Sequence, residues 1–226
     1  MFSSIASNVS CLLPLYTSFF YDLVRIIGHY QVFSTAGVLH GDLSDNNLMF
    51  KRKAGKVKGI VNDWDMASII DGNGELSTKA RIATGTLPFM ARDLLKHTPP
   101  QNLYRHDLES FFYILVWAAI HYDFENKVQR ETVEPLVDWE ADLETCLESK
   151  RRFIGVPEIT REVVGHVGEA FEGIREQWIE PLIHLFRNAE DGELERCEMT
   201  YDFATCGGQV TFHAFMEALG RTPRSL

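Results

Sequence analysis

The chain has 226 residues, of which 24% are charged and 45% hydrophobic, and a formal net charge of −10. That length supplies one substantial core, and the composition is that of an ordinary globular protein. The acidic balance argues against general binding to nucleic acid or to an anionic membrane, since both need a basic face.

Cys11, Cys146, Cys197 and Cys206 are scattered, with no C-x-x-C pair. Neither a zinc site nor a disulfide framework is indicated, and a reducing compartment is expected. Met1 to Phe20 carries no basic residue and is interrupted by Pro14, so it makes a poor signal peptide. The most apolar run, Phe111 to Ile120, is too short to span a bilayer. An intracellular protein, cytoplasmic or nuclear, is expected.

From Phe19 to Phe33, Phe20, Leu23, Val24, Ile27 and Tyr30 recur three and four apart. That spacing predicts an amphipathic helix, capped by Thr17 or Ser18 and ending near Gly37. Then comes His40-Gly41-Asp42-Leu43-Ser44-Asp45-Asn46-Asn47. Asp42 can accept a proton from, or orient, an attacking hydroxyl. Asn47 lies far enough along to turn back and offer an amide oxygen to Mg²⁺, a hard cation held by few protein oxygens plus substrate phosphates. The bland reading is a polar turn between a helix and a strand.

Leu48-Met49-Phe50 and Val57 to Val61 read as two short strands of a hairpin, with the basic stretch Lys51 to Lys56 as its solvated connection. Asp63 sits just past the second strand, in Asn62-Asp63-Trp64-Asp65-Met66-Ala67. Ser68 to Ala83 is polar and contains Gly72 and Gly74, which predicts a mobile loop. Asp107 is a suitable N-cap for the run Phe111 to Ile120, whose all-round apolar pattern predicts a helix buried on every side. Val137 to Phe153, Ile159 to Arg187 and Val210 to Leu219 carry helical periodicity. The middle stretch reads as one bent helix or two, weakened by Gly165, Gly168 and Gly173. Ala189 to Gly208 reads as a polar, acidic connection.

Four of these segments, in this order, resemble protein kinases. The His40 loop is similar to H-x-D-x-x-x-x-N, Asp63-Trp64-Asp65-Met66-Ala67 to D-F-G-x-A, and Gly85-Thr86-Leu87-Pro88-Phe89-Met90-Ala91-Arg92-Asp93 to G-T-x-x-Y-x-A-P-E. The fourth, His106-Asp107-Leu108-Glu109-Ser110-Phe111-Phe112, resembles the start of the central C-lobe helix. The wording looks most like the fungal-type protein kinase family. The resemblance implies an α+β, mainly α, C-lobe with a small β-hairpin, motif-bearing over 38–121 and helical over 126–226.

By the same resemblance, Asp42 is the catalytic base. Asn47 and Asp63 are the nucleotide–metal ligands, with Asp65 as a further metal candidate. His40 and Asp107 are structural, and Thr86 contacts Asp42 where a peptide substrate is cradled. ATP and Mg²⁺ are the implied cofactors and a protein hydroxyl the implied substrate.

Two departures matter. Gly41 replaces the Arg that in many kinases receives an activation-loop phosphate, so phosphorylation of Ser77 or Thr78 is not expected to be the switch. No G-x-G-x-x-G precedes the loop, and no lysine precedes Lys51. The expectation is a C-lobe without its N-lobe. Three readings stay open: a protein kinase C-lobe active only with an N-lobe, a non-catalytic kinase-like binding module, and a small-molecule kinase of the aminoglycoside or choline type. Thr84 to Asp93, a peptide-substrate element, argues against the last.

Overall fold

A computed structural model describes residues 16–53, 56–71, 85–123, 126, 128–194 and 201–222. The fold is mainly helical, with three two-stranded antiparallel sheets among the described residues. Helix α1 spans Tyr16–Ala36, with its start ahead of the predicted cap. Thr17 and Ser18 therefore lie inside its first turn rather than at its cap. It stops where predicted, because Gly37 takes φ +63° and donates its N–H to Phe33 O at 2.8 Å. A Cβ at Gly37 would also approach Ile70 O to 2.8 Å, so only glycine fits this turn.

Strand β1, Val38–Leu39, follows directly. Strands β2, Leu48–Lys53, and β3, Lys56–Val61, form the expected hairpin, with Leu48 opposite Val61 and Lys53 opposite Lys56. Each strand is six residues long, so Lys51 to Lys53 and Lys56 belong to the ladder and not to a connecting loop. Strand β4, Ser68–Ile69, returns to pair with β1, Val38 facing Ile69 and Leu39 facing Ser68. The predicted loop 68–83 lies for the most part outside the described residues, as do Ser77, Thr78 and Thr84.

Helix α2, Tyr104–His121, is the axis of the core. Phe111, Phe112, Tyr113, Ile114, Val116, Trp117, Ala119 and Ile120 are all buried, in line with the all-round apolar pattern. The helix begins three residues before Asp107, so Asp107 is not its N-cap. Its end is instead closed by the His106 ring, whose Nδ1 accepts the Leu103 N–H at 3.1 Å. Strands β5, Tyr122–Asp123, and β6, Val128–Gln129, form a short ladder after α2.

The remaining helices wrap α2. Helix α3, Glu134–Val137, runs into a 3₁₀ turn at Asp138–Glu140. Helix α4, Leu143–Gly155, is a separate element, because Asp142 breaks the chain and caps the new start by accepting from Glu144 N and Thr145 N, each at 3.0 Å. Helix α5, Pro157–Val164, ends at Gly165. Gly168 then donates its N–H to Ala119 O at 3.0 Å, tying the break to the end of α2.

After the break, α6, Glu172–Ile174, continues through a π turn, Arg175–Ile179, into α7, Glu180–Leu194. Pro181 has no N–H to return to the preceding turn, which accounts for the widened geometry just before it. The expected connection from Ala189 therefore begins as helix. Helix α8, Phe212–Ala218, is capped by Thr211 Oγ1, which accepts from Ala214 N at 3.1 Å. No helix among the described residues is long and apolar enough to cross a membrane.

Aromatic rings join these helices across α2. Phe112 lies 5.1 Å from Phe186 of α7 and stacks at 6.1 Å on Phe153 of α4, while Tyr113 meets Trp139 edge-on at 5.1 Å. Phe112 is fully buried, so truncating it leaves a cavity that three helices cannot close. Phe112→Ala is expected to destabilise the fold by about 3–5 kcal/mol. Denaturant unfolding followed by circular dichroism measures this, with the midpoint falling at unchanged slope.

Candidate active site

Two short pairings set the site. The β1–β4 pairing closes its base. The hairpin carries Asn47 and Asn62 side by side, with Asn62 N donating to Asn47 O at 2.9 Å. Asp63 therefore lies one residue beyond Asn47's partner, and the loop and the acid segment converge.

Asp107 fixes the loop from below. Its carboxylate accepts the N–H of His40 at 2.9 Å and of Gly41 at 3.2 Å, and meets His29 Nε2 at 2.9 Å. Burial alone would push this carboxyl up. The His29 bond and the His40 N–H outweigh it and hold the pKa below the usual carboxylate range. His40 is itself fully buried; its Nε2–H donates to Asn62 O at 2.9 Å and its Nδ1 accepts from Asp42 N at 3.3 Å. It thus joins the loop to the acid segment. Gly41 has φ +78°, and a Cβ there would meet Met66 O at 3.2 Å and Asn102 Nδ2 at 3.1 Å. An arginine at this position would be strained in this backbone.

Asp42 is half-buried and faces Thr86. Thr86 donates both its N–H, at 3.0 Å, and its Oγ1–H, at 3.2 Å, to Asp42 Oδ1. Asn47 donates Nδ2–H to Asp42 O at 2.8 Å, which orients the amide. Asp63 has φ +60°, in the left-handed region that non-glycine residues seldom adopt, and its side chain is exposed.

Trp64, in place of the usual Phe, donates Nε1–H to Val61 O at 3.0 Å and lies 4.7 Å from the His40 ring. Asp65 is exposed in a turn closed by Ala67 N to Trp64 O at 3.0 Å. The special backbone angle falls at Asp63, not at Asp65, so an aspartate in the usual glycine position carries no left-handed strain.

The loop after Thr86 is held by buried ion pairs. Arg92 Nε bonds Glu109 Oε1 at 2.8 Å, and its Nη1 pairs with Glu190. Tyr113 Oη also donates to Glu109, at 2.8 Å. Asp93 pairs with Arg105 and, at 2.5 Å, with Lys96. Burial would raise its pKa, but His106, Arg105 and Lys96 together hold it well below the usual range. Arg92 and Asp93, where Pro and Glu are usual, are thus both ion-paired to the start of α2.

Residues 19–119 match the model of a family described as fungal protein kinase. Over those residues the chain is similar to that family, and the match covers less than half of its length. No curated protein matches the chain. The matched segment carries His40, Asp42, Asn47, Asp63, Asp65, Thr86 and Asp107; hydrogen bonds join Asp42 to His40, Asn47 and Thr86, and His40 to Asp107. No cluster of three His, Cys, Asp or Glu side chains suited to a metal exists among the described residues. The Asn47 amide oxygen and the Asp63 carboxylate still fit Mg²⁺, which needs only one or two protein oxygens beside phosphates and water.

Sequence reasoning missed three features of this candidate site. His29 read as an ordinary helix residue, although a lone histidine in an apolar face is a sign that a buried partner exists. Met49 and Ile60 face each other across the hairpin, both exposed, beside Asn47 and Asp63. Their alternation in the strands was the available signal. The Arg92–Glu109–Glu190 network joins residues 98 positions apart, and local spacing carries no trace of it.

Asp107→Ala is expected to cost about 3–5 kcal/mol, because two buried N–H groups and His29 lose their acceptor. Since the folded pKa is depressed, the carboxylate contributes stability above its unfolded value. That contribution disappears as pH falls below about 4, through the folded pKa. Urea midpoints measured from pH 7 down to pH 3 should converge for wild type and variant.

Proposed function

We propose that this chain is the catalytic-loop half of a protein kinase, transferring the γ-phosphoryl group of ATP to a serine or threonine hydroxyl of a protein. The carrying observation is the double hydrogen bond from Thr86 to Asp42 Oδ1. It seats the segment that would cradle a peptide directly beside the residue that would take the hydroxyl proton. That favours a protein substrate over a small molecule.

In this reading Asp42 orients the attacking hydroxyl and accepts its proton, with Thr86 bonded to its Oδ1. Asn47 and Asp63 hold Mg²⁺, which neutralises charge on the phosphates when bound. Met49 and Ile60 offer an apolar platform at the right side of those ligands for the purine ring. Asp107 and His29 keep the loop backbone in register and touch no reactant.

No lysine precedes Lys51, so the 226 residues supply no phosphate-facing lysine upstream of the loop. The chain alone is expected to bind Mg·ATP with a dissociation constant weaker than about 1 mM, read by calorimetry; micromolar affinity would overturn that. Mn²⁺ with ATP should still broaden the amide resonances around Asn47 and Asp63, and Asp63→Ala should abolish the effect. Broadening centred elsewhere would contradict the assignment. With a lysine-bearing nucleotide lobe joined upstream, Asp42→Asn should lower the phosphotransfer rate about 10²–10⁴-fold while leaving nucleotide affinity nearly unchanged.

A further inference from the structure

Lys150 on α4 is fully buried, and among the described residues no carboxylate lies within ion-pairing distance of it. Its Nζ donates to Met90 O at 2.7 Å and to Leu87 O at 3.2 Å, the two ends of the 3₁₀ turn that follows Thr86. The ammonium lies 4.2 Å above the Tyr113 ring and 5.4 Å from Trp139. A buried charge without a counter-ion is costly, and ordinary packing would put Met or Leu there. What the charge gains is two charge-assisted bonds to the carbonyls of one short turn and a pair of aromatic faces.

That turn is the one that carries Thr86. Phe89 N and Met90 N both return to Thr86 O, at 2.8 and 3.2 Å. The connection therefore runs from Lys150 to the Leu87 and Met90 carbonyls, through the turn to Thr86, and from Thr86 to Asp42.

We propose that Lys150 is a positioning residue for the active site, its ammonium setting the turn that presents Thr86 to Asp42. This rests on the kinase reading of Asp42, but the placement of Thr86 can be tested without nucleotide. The groups facing Lys150 are Tyr113 and Glu109 from α2, Arg92 from the 3₁₀ turn after Ala91, Cys146 from its own helix, and the neutral Trp139. Cys146 Sγ shares the Leu87 carbonyl, at 3.6 Å.

Burial lowers the Lys150 pKa to about 8, with Cys146 and Glu109 opposing the shift. Because this base has a depressed folded pKa, global stability rises with pH from about 8 toward the unfolded lysine value. The carbonyl bonds change the other way, from charge-assisted to neutral, over the same interval. A lysine that only filled the core would move global stability and the Thr86 turn together. A positioning lysine moves them in opposite directions.

The test is amide hydrogen exchange on the full chain at pH 6.5 and 9.5, corrected for intrinsic rates, in wild type, Lys150→Met and Cys146→Ala. In wild type, protection at Thr86 N and Met90 N should fall at least about fivefold with rising pH, while amides of α7 stay protected. Lys150→Met should show the loosened turn at both pH values. Cys146→Ala should keep the wild-type pH response. Flat protection at Thr86 in wild type, or a pH response that vanishes in Cys146→Ala, overturns the proposal. If Lys150→Met does not fold, the wild-type and Cys146→Ala profiles decide. Failure of the Mn²⁺ experiment above would discard the kinase reading and leave this result standing.

Discussion

The site hangs on one buried carboxylate. Asp107 takes two backbone N–H groups from the loop and the His29 side chain from α1, so three separate segments meet at a single charge. A carboxylate in an apolar core is unfavourable unless it is saturated with donors, and here the donors are the loop itself. The charge and the loop conformation need each other. Remove the loop backbone and the carboxylate is stranded; remove the carboxylate and His40 and Gly41 have no acceptor.

A second set of buried charges does the same for the segment after Thr86. Arg92 and Asp93 are adjacent in sequence yet carry opposite charges and pair with different residues of α2, Glu109 and Arg105. Arg92 also reaches Glu190 on α7. Such pairs contribute little net stability compared with hydrophobic replacements, since desolvation offsets much of the attraction. Their effect is geometric. They fix one end of the segment to the most buried helix, while the Thr86 bonds fix the other end to Asp42.

Much of this was legible in the sequence. The buried helix, the hairpin and the break after α1 follow from local pattern, and the motif order marks out His40, Asp42, Asn47, Asp63 and Thr86 as site candidates. What was not legible depends on contacts distant in sequence. Asp107 looked like an N-cap because an Asp near a helix start usually is one; only the loop packed beneath it shows otherwise. Lys51 to Lys53 looked like a loop because charged residues are poor strand formers, and hairpin pairing overrode that preference. Lys150 sits in a helix rich in charged residues, where nothing local marks it as the one turned inward. Ser77 and Thr78 lie outside the described residues, but the positive φ of Gly41 and its close neighbours give a steric reason for the absence of the usual arginine.

Asp63 holds a backbone angle that glycine or asparagine would adopt more readily. Its carboxylate is exposed, so packing does not require it either. Selection for foldability alone would therefore let this position drift toward glycine or asparagine. On the proposed reading, a lineage that had given up phosphoryl transfer would change Asp63 well before the buried Asp107. The pair would then work as a dating device: a relative that keeps Asp107 but has lost Asp63 would retain the scaffold without the proposed chemistry.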